Sequence, residues 1–317
     1  MKRIQILLSA YNGEAHIRDQ LDSYTRLDCF DEVKVLIRDD GSTDGTRAIL
    51  AEYAEKYGFE VIEGENIGLN ASMHALVQRC DLECDYFAFS DQDDVWLPDK
   101  LSRARDTLDK MSGECEAGTP LLYCACSSVT DADLNITGHT LIPKRKLSFY
   151  NAMIQNVCVG HTQVASKELI KLLRLHFSKD IYVFDSWVYL VASAFGRVHY
   201  DKKPTTLYRQ HGSNTIGYKS GFANFLMRVK RLKKGKSRYY SCQLRAFYDC
   251  YGDMLPAEIK KEVEKYFSKQ KGPFKRLGYI FTTKMYRQTR SEGVVFRLMY
   301  LFGKYTLKNE STKESNK

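Results

Sequence analysis

The stretch Phe87-Ala88-Phe89-Ser90-Asp91-Gln92-Asp93-Asp94-Val95-Trp96 sets three carboxylates within four positions, directly after an apolar, β-prone run. Side chains alternate across a strand, so a strand ending at Ser90 delivers Asp91 and Asp93 to its carboxyl-end rim. Like charges that close repel unless a cation or a proton lies between them. A hard divalent ion with oxygen ligands, itself bridging a diphosphate, meets that need. The plain alternative is a solvated acidic loop capping the helix after Pro98. A second acidic pair, Asp39-Asp40, ends another apolar run beside Gly41, which lets the backbone turn sharply. A carboxylate there suits the imide N–H of a uracil or thymine base. Its alternative is a cap for the helix near Thr43, a role open to Asp40 or Asp44.

Strand and helix patterns alternate around these groups. Residues 4–8, 33–37, 59–63 and 86–90 read as strands, and helical patterns run to about Thr25, from Ser42 or Thr43 through Ala54, and from Asn66-Ile67-Gly68 to about Cys80. Such alternation implies a mostly parallel sheet with helices on both faces, whose ligand crevice lies beyond the carboxyl ends of the strands. The clusters 9–12, 39–44, 66–68 and 90–94 all fall on that rim. Beyond Leu121 the pattern is mixed: a strand to Val129, a helix over 167–173, another opening near Asp185, and short strands at 197–200 and 207–210. From Ser220 helices dominate. Phe222, Phe225, Leu226, Val229 and Leu232 recur at helical spacing among basic residues, Leu277, Ile280 and Phe281 form a second stripe, and residues 294–302 are an apolar block.

Three motifs in this order carry a family resemblance: Ser9-Ala10-Tyr11-Asn12-Gly13-Glu14, the run Arg38 to Thr46 (RDDGSTDGT), and Ser90 to Trp96 (SDQDDVW). Over roughly residues 3–217 the chain resembles family 2 of the inverting glycosyltransferases, which have the GT-A fold. Its wording is closest to bacterial rhamnosyltransferase-like enzymes of surface polysaccharide assembly. The resemblance implies a Rossmann-like GT-A domain over 1–217, followed by a basic, amphipathic helical extension over 218–317. It sets the nucleobase and ribose against Ala10, Tyr11 and Asp39, with Glu14, Asp40, Asn66 and Gly68 on the same nucleotide-sugar side. Asp91 would face ribose and sugar, and Asp93 would hold the divalent metal, Mg2+ or Mn2+, joined by His211 of the Tyr208-Arg209-Gln210-His211 motif. Arg209 would pair with phosphate oxygens. Leu69-Asn70-Ala71-Ser72 departs from the family's wording. Inversion needs a carboxylate base opposite the leaving group. Asp185 stands where the family puts it, with a plain helix N-cap as the alternative. Gly160, His161, Trp96 and Trp187 fall on the acceptor side, the two tryptophans having core packing as their other reading.

Charge divides the chain in two. Of 317 residues, the first 201 hold 21 basic and 31 acidic side chains, while residues 202–317 hold 27 and 8. The basic, amphipathic second part fits in-plane association with an anionic membrane surface, and no nucleic-acid-binding motif is present. Nine scattered cysteines without a C-x-x-C pair argue against a zinc staple or disulfide framework and for reduced thiols. With no leader pattern after Met1-Lys2-Arg3, the expectation is a cytoplasmic protein, peripheral on the inner face of the membrane. The expected reaction moves a sugar from dTDP-rhamnose or a UDP-hexose to a glycan, lipid-linked acceptor. The non-enzymatic alternative is a basic membrane or nucleic-acid adaptor built on such a domain. Adjacent carboxylates at 39–40 do not fit an aspartyl phosphatase, which separates them, and a lone glycine at 9–14 does not fit a nucleotidyltransferase loop.

Overall fold

A computed structural model describes residues 3–210 and 238–307. His211 and the 222–232 stripe therefore lie outside the described residues. The first four strands, β1 (Ile4–Ala10), β2 (Val33–Asp39), β3 (Glu60–Glu63) and β4 (Tyr86–Ser90), pair in parallel in the order β3-β2-β1-β4. Helices α1 (Ile17–Thr25), α2 (Thr46–Tyr57) and α3 (Leu69–Arg79) connect them. After a short β5 (Val95–Trp96) and α4 (Lys100–Gly113), the chain enters β6 (Leu121–Thr130) and β7 (Ile136–His139), then α5 (Phe149–Ala152) and a 3-10 turn at Gly160–Thr162. Next come β8 (Val164–Ser166), α6 (Lys167–Leu175), α7 (Phe184–Phe195) and β9 (Arg197–Arg209). Strand β8 runs antiparallel to both β4 and β6, and β9 returns parallel to β6, so the sheet is mixed beyond β4.

Strand residues alternate between two cores. Ile4, Ile6, Leu8 and Ala10 of β1, with Tyr86 and Ala88 of β4, pack on the face covered by α1, α2 and α4. Leu7, Phe87 and Phe89 pack on the opposite face, under α3, α6 and α7. That second core continues into α8 (Arg238–Tyr251), α9 (Ala257–Ser268), α10 (Pro273–Thr282) and α11 (Arg290–Leu301), through Leu244, Phe247, Val263, Tyr279 and Tyr300. Each such buried apolar side chain contributes about 1.5–3 kcal/mol, so these helices are joined to the sheet by packing.

Two local expectations are corrected. The second helix starts at Thr46 with Gly45 at its cap position, because Asp44, rather than Ser42 or Thr43, takes up the first-turn donors: its Oδ1 accepts from the Thr46 amide at 3.1 Å and hydroxyl at 2.6 Å. The two short strands at 197–200 and 207–210 are one, β9. Its register on β6 shifts so that Ala125 faces Asp201 and Cys126 faces Pro204, leaving exposed Lys202 and Lys203 bulged out. A bulge accommodates the missing amide of Pro204 without ending the strand. Among the described residues no helix is long and apolar enough to cross a membrane.

Candidate active site

The rim is built by loops that bond to one another. Asn12, at φ 47°, donates its amide to Ser42 Oγ (3.0 Å) and accepts from the Thr43 amide (2.8 Å). Glu14 accepts from the Gly45 amide at 2.9 Å, and its own amide donates to Asp44. Gln92 clamps Tyr11 at two points, accepting from its amide at 2.8 Å and donating to its carbonyl at 3.0 Å. A side chain at Gly13 would meet the Gln92 amide 2.6 Å away. Asp40 is buried in an ion pair with Arg38 and accepts from the amides of Ile67 (3.0 Å) and Gly68 (2.9 Å). Gly41, at φ 84°, passes so close to Asn66 that a Cβ would lie 2.8 Å from its amide nitrogen.

Several of the residues expected on the nucleotide-sugar side also bond within the protein. Glu14 and Asp40 spend their carboxylates on neighbouring loops. Buried Ala10 accepts the Asp40 amide at 2.7 Å, and Asn66 and Gly68 supply the turn against which Gly41 and Asp40 rest. Tyr11 is exposed on the rim. Asp39 is buried, accepting from the Ser42 amide (3.1 Å) and from half-exposed Arg47 (2.8 Å).

Behind the rim, Asp94 and His161 are fully buried and Asp91 is partly open. His161 Nδ1 lies 3.4 Å from Asp91 and 3.5 Å from Asp94, while its Nε2 meets Ser127 Oγ at 2.8 Å. The donor atoms of Asp91, Asp94 and His161 fall within 4.8 Å of one another, a spacing that a divalent ion can bridge. Burial works to keep the imidazole neutral, but the charges of Asp94 and Asp91 outweigh it and its pKa is raised. Burial likewise raises that of Asp94. A bound ion and a proton on Nδ1 exclude each other, since only neutral imidazole ligates. Asp93 is half-buried and stands outside this trio. Arg209, expected on phosphate, ties the loop to its neighbours: its guanidinium bonds Asp19 (2.5 Å) and the carbonyls of Ala132 (2.6 Å) and Asp93 (3.1 Å), and its amide donates to Asp94.

The two tryptophans take the core alternative. Trp96 is buried against Tyr24, ring centroids 4.9 Å apart, with the Lys100 ammonium over its face. Trp187 is buried against Phe247 and Tyr251. Each is so enclosed by its neighbours that no open face is left for a sugar.

Asp185 is the second residue of α7. Val183 holds the cap position without a side-chain bond, so Asp185 is not an N-cap. Asp185 is partly buried, and its pKa is pushed up to about 6, first by burial and then by the charge of Asp91. The Gly160 amide donates to Oδ2 at 3.1 Å, and among the described residues Oδ1 has no hydrogen-bond partner. Three residues outside the motifs hold this segment. Asn70 donates to the Ile181 carbonyl (2.8 Å) and accepts from the Phe184 amide (2.9 Å). Gln163 donates to the Asp185 carbonyl at 2.9 Å. Gln243, on α8, spans Tyr182 and Ser186 with bonds of 3.0 Å to each. A departure from the family's wording drew attention to Asn70, whereas no local pattern marks Gln163 or Gln243.

The glycosyl transferase family 2 model matches residues 5–173. The chain belongs to that family. Among curated relatives, the dTDP-rhamnosyl transferase RfbG of Shigella flexneri is 28% identical over 258 residues, covering 78% of this chain and 85% of the relative. The putative glycosyltransferase EpsH of Bacillus subtilis is 27% identical over 67% of this chain and 62% of the relative. Among solved structures, S. aureus TarS 1-349 in complex with UDP-GlcNAc matches with a TM-score of 0.59 and 15% identity, over 96% of this chain and 81% of that one. The mannosyltransferase PcManGT from Pyrobaculum calidifontis, in complex with GDP-Man and Mn2+, matches at 0.51 and 15%, over 96% and 86%. At such identity the two structures speak for the fold, which is GT-A, with a helical region after it. The protein is thus a nucleotide-sugar-dependent glycosyltransferase whose acidic cluster suits a divalent ion.

Proposed function

We propose that this family 2 enzyme transfers one sugar, from dTDP-rhamnose or a UDP-hexose, to a hydroxyl of a growing, lipid-linked glycan, with inversion in a single displacement. The observation that carries this reading is Asp185: a partly buried carboxyl that feels the charge of Asp91, its pKa raised to about 6, with one oxygen held by Gly160 and the other enclosed and unpartnered among the described residues. A base poised near neutrality suits removal of the acceptor proton. Asp185 takes that proton as the acceptor oxygen bonds to the anomeric carbon, and the bond to the nucleoside diphosphate breaks with its electron pair leaving on phosphate. Tyr11 and Asp39 face the nucleoside, Asp39 once Arg47 moves aside.

The site fits Mg2+ or Mn2+, which would supply positive charge to the departing diphosphate. The half-buried carboxylates of Asp91 and Asp93 are the proposed holders. Asp94 and His161, fully enclosed and with donor atoms within 4.8 Å of Asp91, are the alternative holders, at the cost of a more fully dehydrated ion. His161, drawn toward its protonated form, braces the loop from behind. A thymine-nucleotide donor agrees with the likeness to RfbG, a dTDP-rhamnosyl transferase. The basic second half agrees with work at the inner face of a membrane.

A panel of nucleotide sugars, screened with Mn2+ for thermal stabilisation and for hydrolysis, tests the reading. One dTDP- or UDP-sugar should stabilise the full chain, and NMR of the transferred product should show an inverted anomer. Absence of stabilisation by every donor, alongside membrane or RNA binding, would instead support an adaptor.

A further inference from the structure

The three most exposed large apolar side chains among the described residues are Phe274 (87%), Phe281 (79%) and Phe302 (72%); the next, Ile136, is 60% exposed. All three lie on or at the end of α10 and α11, and Leu277, Val294 and Leu298 of the same helices are exposed as well. Two contacts fix how the helices lie. Tyr279 meets Tyr300 with ring centroids 4.6 Å apart, and a side chain at Gly303 would collide with the Arg276 guanidinium. Both pairs fit one antiparallel register, in which Leu277 is level with Phe302 and Phe281 with Leu298. Tyr279 and Tyr300 each pack on Tyr266 of α9, so the buried sides of both helices turn the same way and their outer sides share the opposite face.

That face is basic as well as apolar. Residues 271–307 contain eight lysines and arginines and a single acid, Glu292, which is partly buried. Lys275 and Arg297 are exposed among the apolar side chains. Exposed phenylalanines accompanied by Lys275 and Arg297 match the headgroup boundary of an anionic bilayer, where apolar tips enter and cations meet lipid phosphates. A protein partner of comparable apolarity would not call for so one-sided a charge.

We infer that the outer face of the α10–α11 hairpin docks on an anionic lipid surface, with Phe274, Phe281 and Phe302 inserted and Lys275 and Arg297 on the headgroups. The inference rests on the membrane part of the reading above and is independent of which donor is used.

Flotation of the full chain with vesicles of phosphatidylglycerol or of phosphatidylcholine is the test, with donor-induced thermal stabilisation followed in every variant. Wild type should float with the anionic vesicles, less as salt rises, and poorly with the neutral ones. Phe274→Ser/Phe281→Ser/Phe302→Ser should lose roughly tenfold in vesicle affinity. Lys275→Glu/Arg297→Glu should lose roughly tenfold or more, since each cation near such a surface counts for about fivefold. Both variants alter exposed side chains and should keep the wild-type melting temperature and response to donor. The inference is overturned if the triple serine variant floats like wild type, or if neutral vesicles bind as well as anionic ones. It is equally overturned if the triple variant abolishes a lipid-free dimer, or if RNA binds the face more tightly than lipid does.

Discussion

The donor rim and the segment that carries Asp185 are built in different ways. The rim draws on residues 11–14, 39–46, 66–68 and 91–94, loops at the ends of β1, β2, β3 and β4, joined by bonds such as Gln92 to Tyr11 and Asp40 to Gly68. The Asp185 segment is held by Asn70 on α3, Gly160 and Gln163 at the 3-10 turn, and Gln243 on α8. One side is a set of contiguous motifs on a sheet edge, and the other is a convergence of distant side chains. The family match over residues 5–173 covers the first and stops short of Asp185. The rim is thus held by loops of the sheet edge, whereas the placement of Asp185 also draws on a C-terminal helix through Gln243.

If that division is real, rim and base variants should fail differently. The largest effect is expected from Asp93→Ala, which should abolish Mn2+-dependent donor binding in calorimetry while leaving the fold intact, because the residue lies on a rim loop. Unchanged Mn2+-dependent affinity would move the ion to the Asp91, Asp94 and His161 trio. Next come Asn70→Ala and Gln243→Ala. Loosening a base by even an ångström can cost about 10²-fold, so kcat should fall roughly 10- to 100-fold with donor affinity preserved. A matching loss of donor affinity would erase the distinction. Gly160→Ala should be milder: its Cβ would sit 3.2 Å from that of Asp185, a crowding that a small shift relieves, and turnover should drop only severalfold.

The rim was legible because its chemistry is local. Three carboxylates after an apolar run, glycines at sharp turns and βα alternation all lie within short windows, and the four parallel strands emerged where the pattern set them. What a carboxylate does there was less legible. Asp40, Glu14 and Arg209 read as ligands by type, yet each is bonded within the protein. Only three-dimensional contacts distinguish an acid that holds a loop from one that faces a donor. Trp96 and Trp187 illustrate the same limit, since an aromatic ring suits a sugar or a core equally well in sequence. Gln243 was invisible because a buried glutamine acquires its meaning from partners far along the chain.

Stability offers a finer comparison. Asp185 ionises near its ordinary 3.8 when unfolded and near about 6 when folded. The native state thus retains a proton that the unfolded chain releases. Its contribution is fully present below the unfolded value and is lost as pH rises through about 6. Asp185→Asn should therefore stabilise the protein at pH 7.5, by up to about 3 kcal/mol, and leave stability at pH 4 little changed. Thermal melts at the two pH values check this, and no gain at pH 7.5 would mean that the carboxylate is solvated.

Asp185→Asn, assayed with the donor that stabilises the wild type, bears most directly on the claim that this residue is the base. Donor affinity by calorimetry should match wild type while transfer falls by about 10²–10⁴. The wild type should lose transfer activity as pH drops through about 6, the pH at which Asp185 takes up its proton. Transfer close to wild type in the variant, or a loss of donor affinity equal to the loss of rate, would contradict the account.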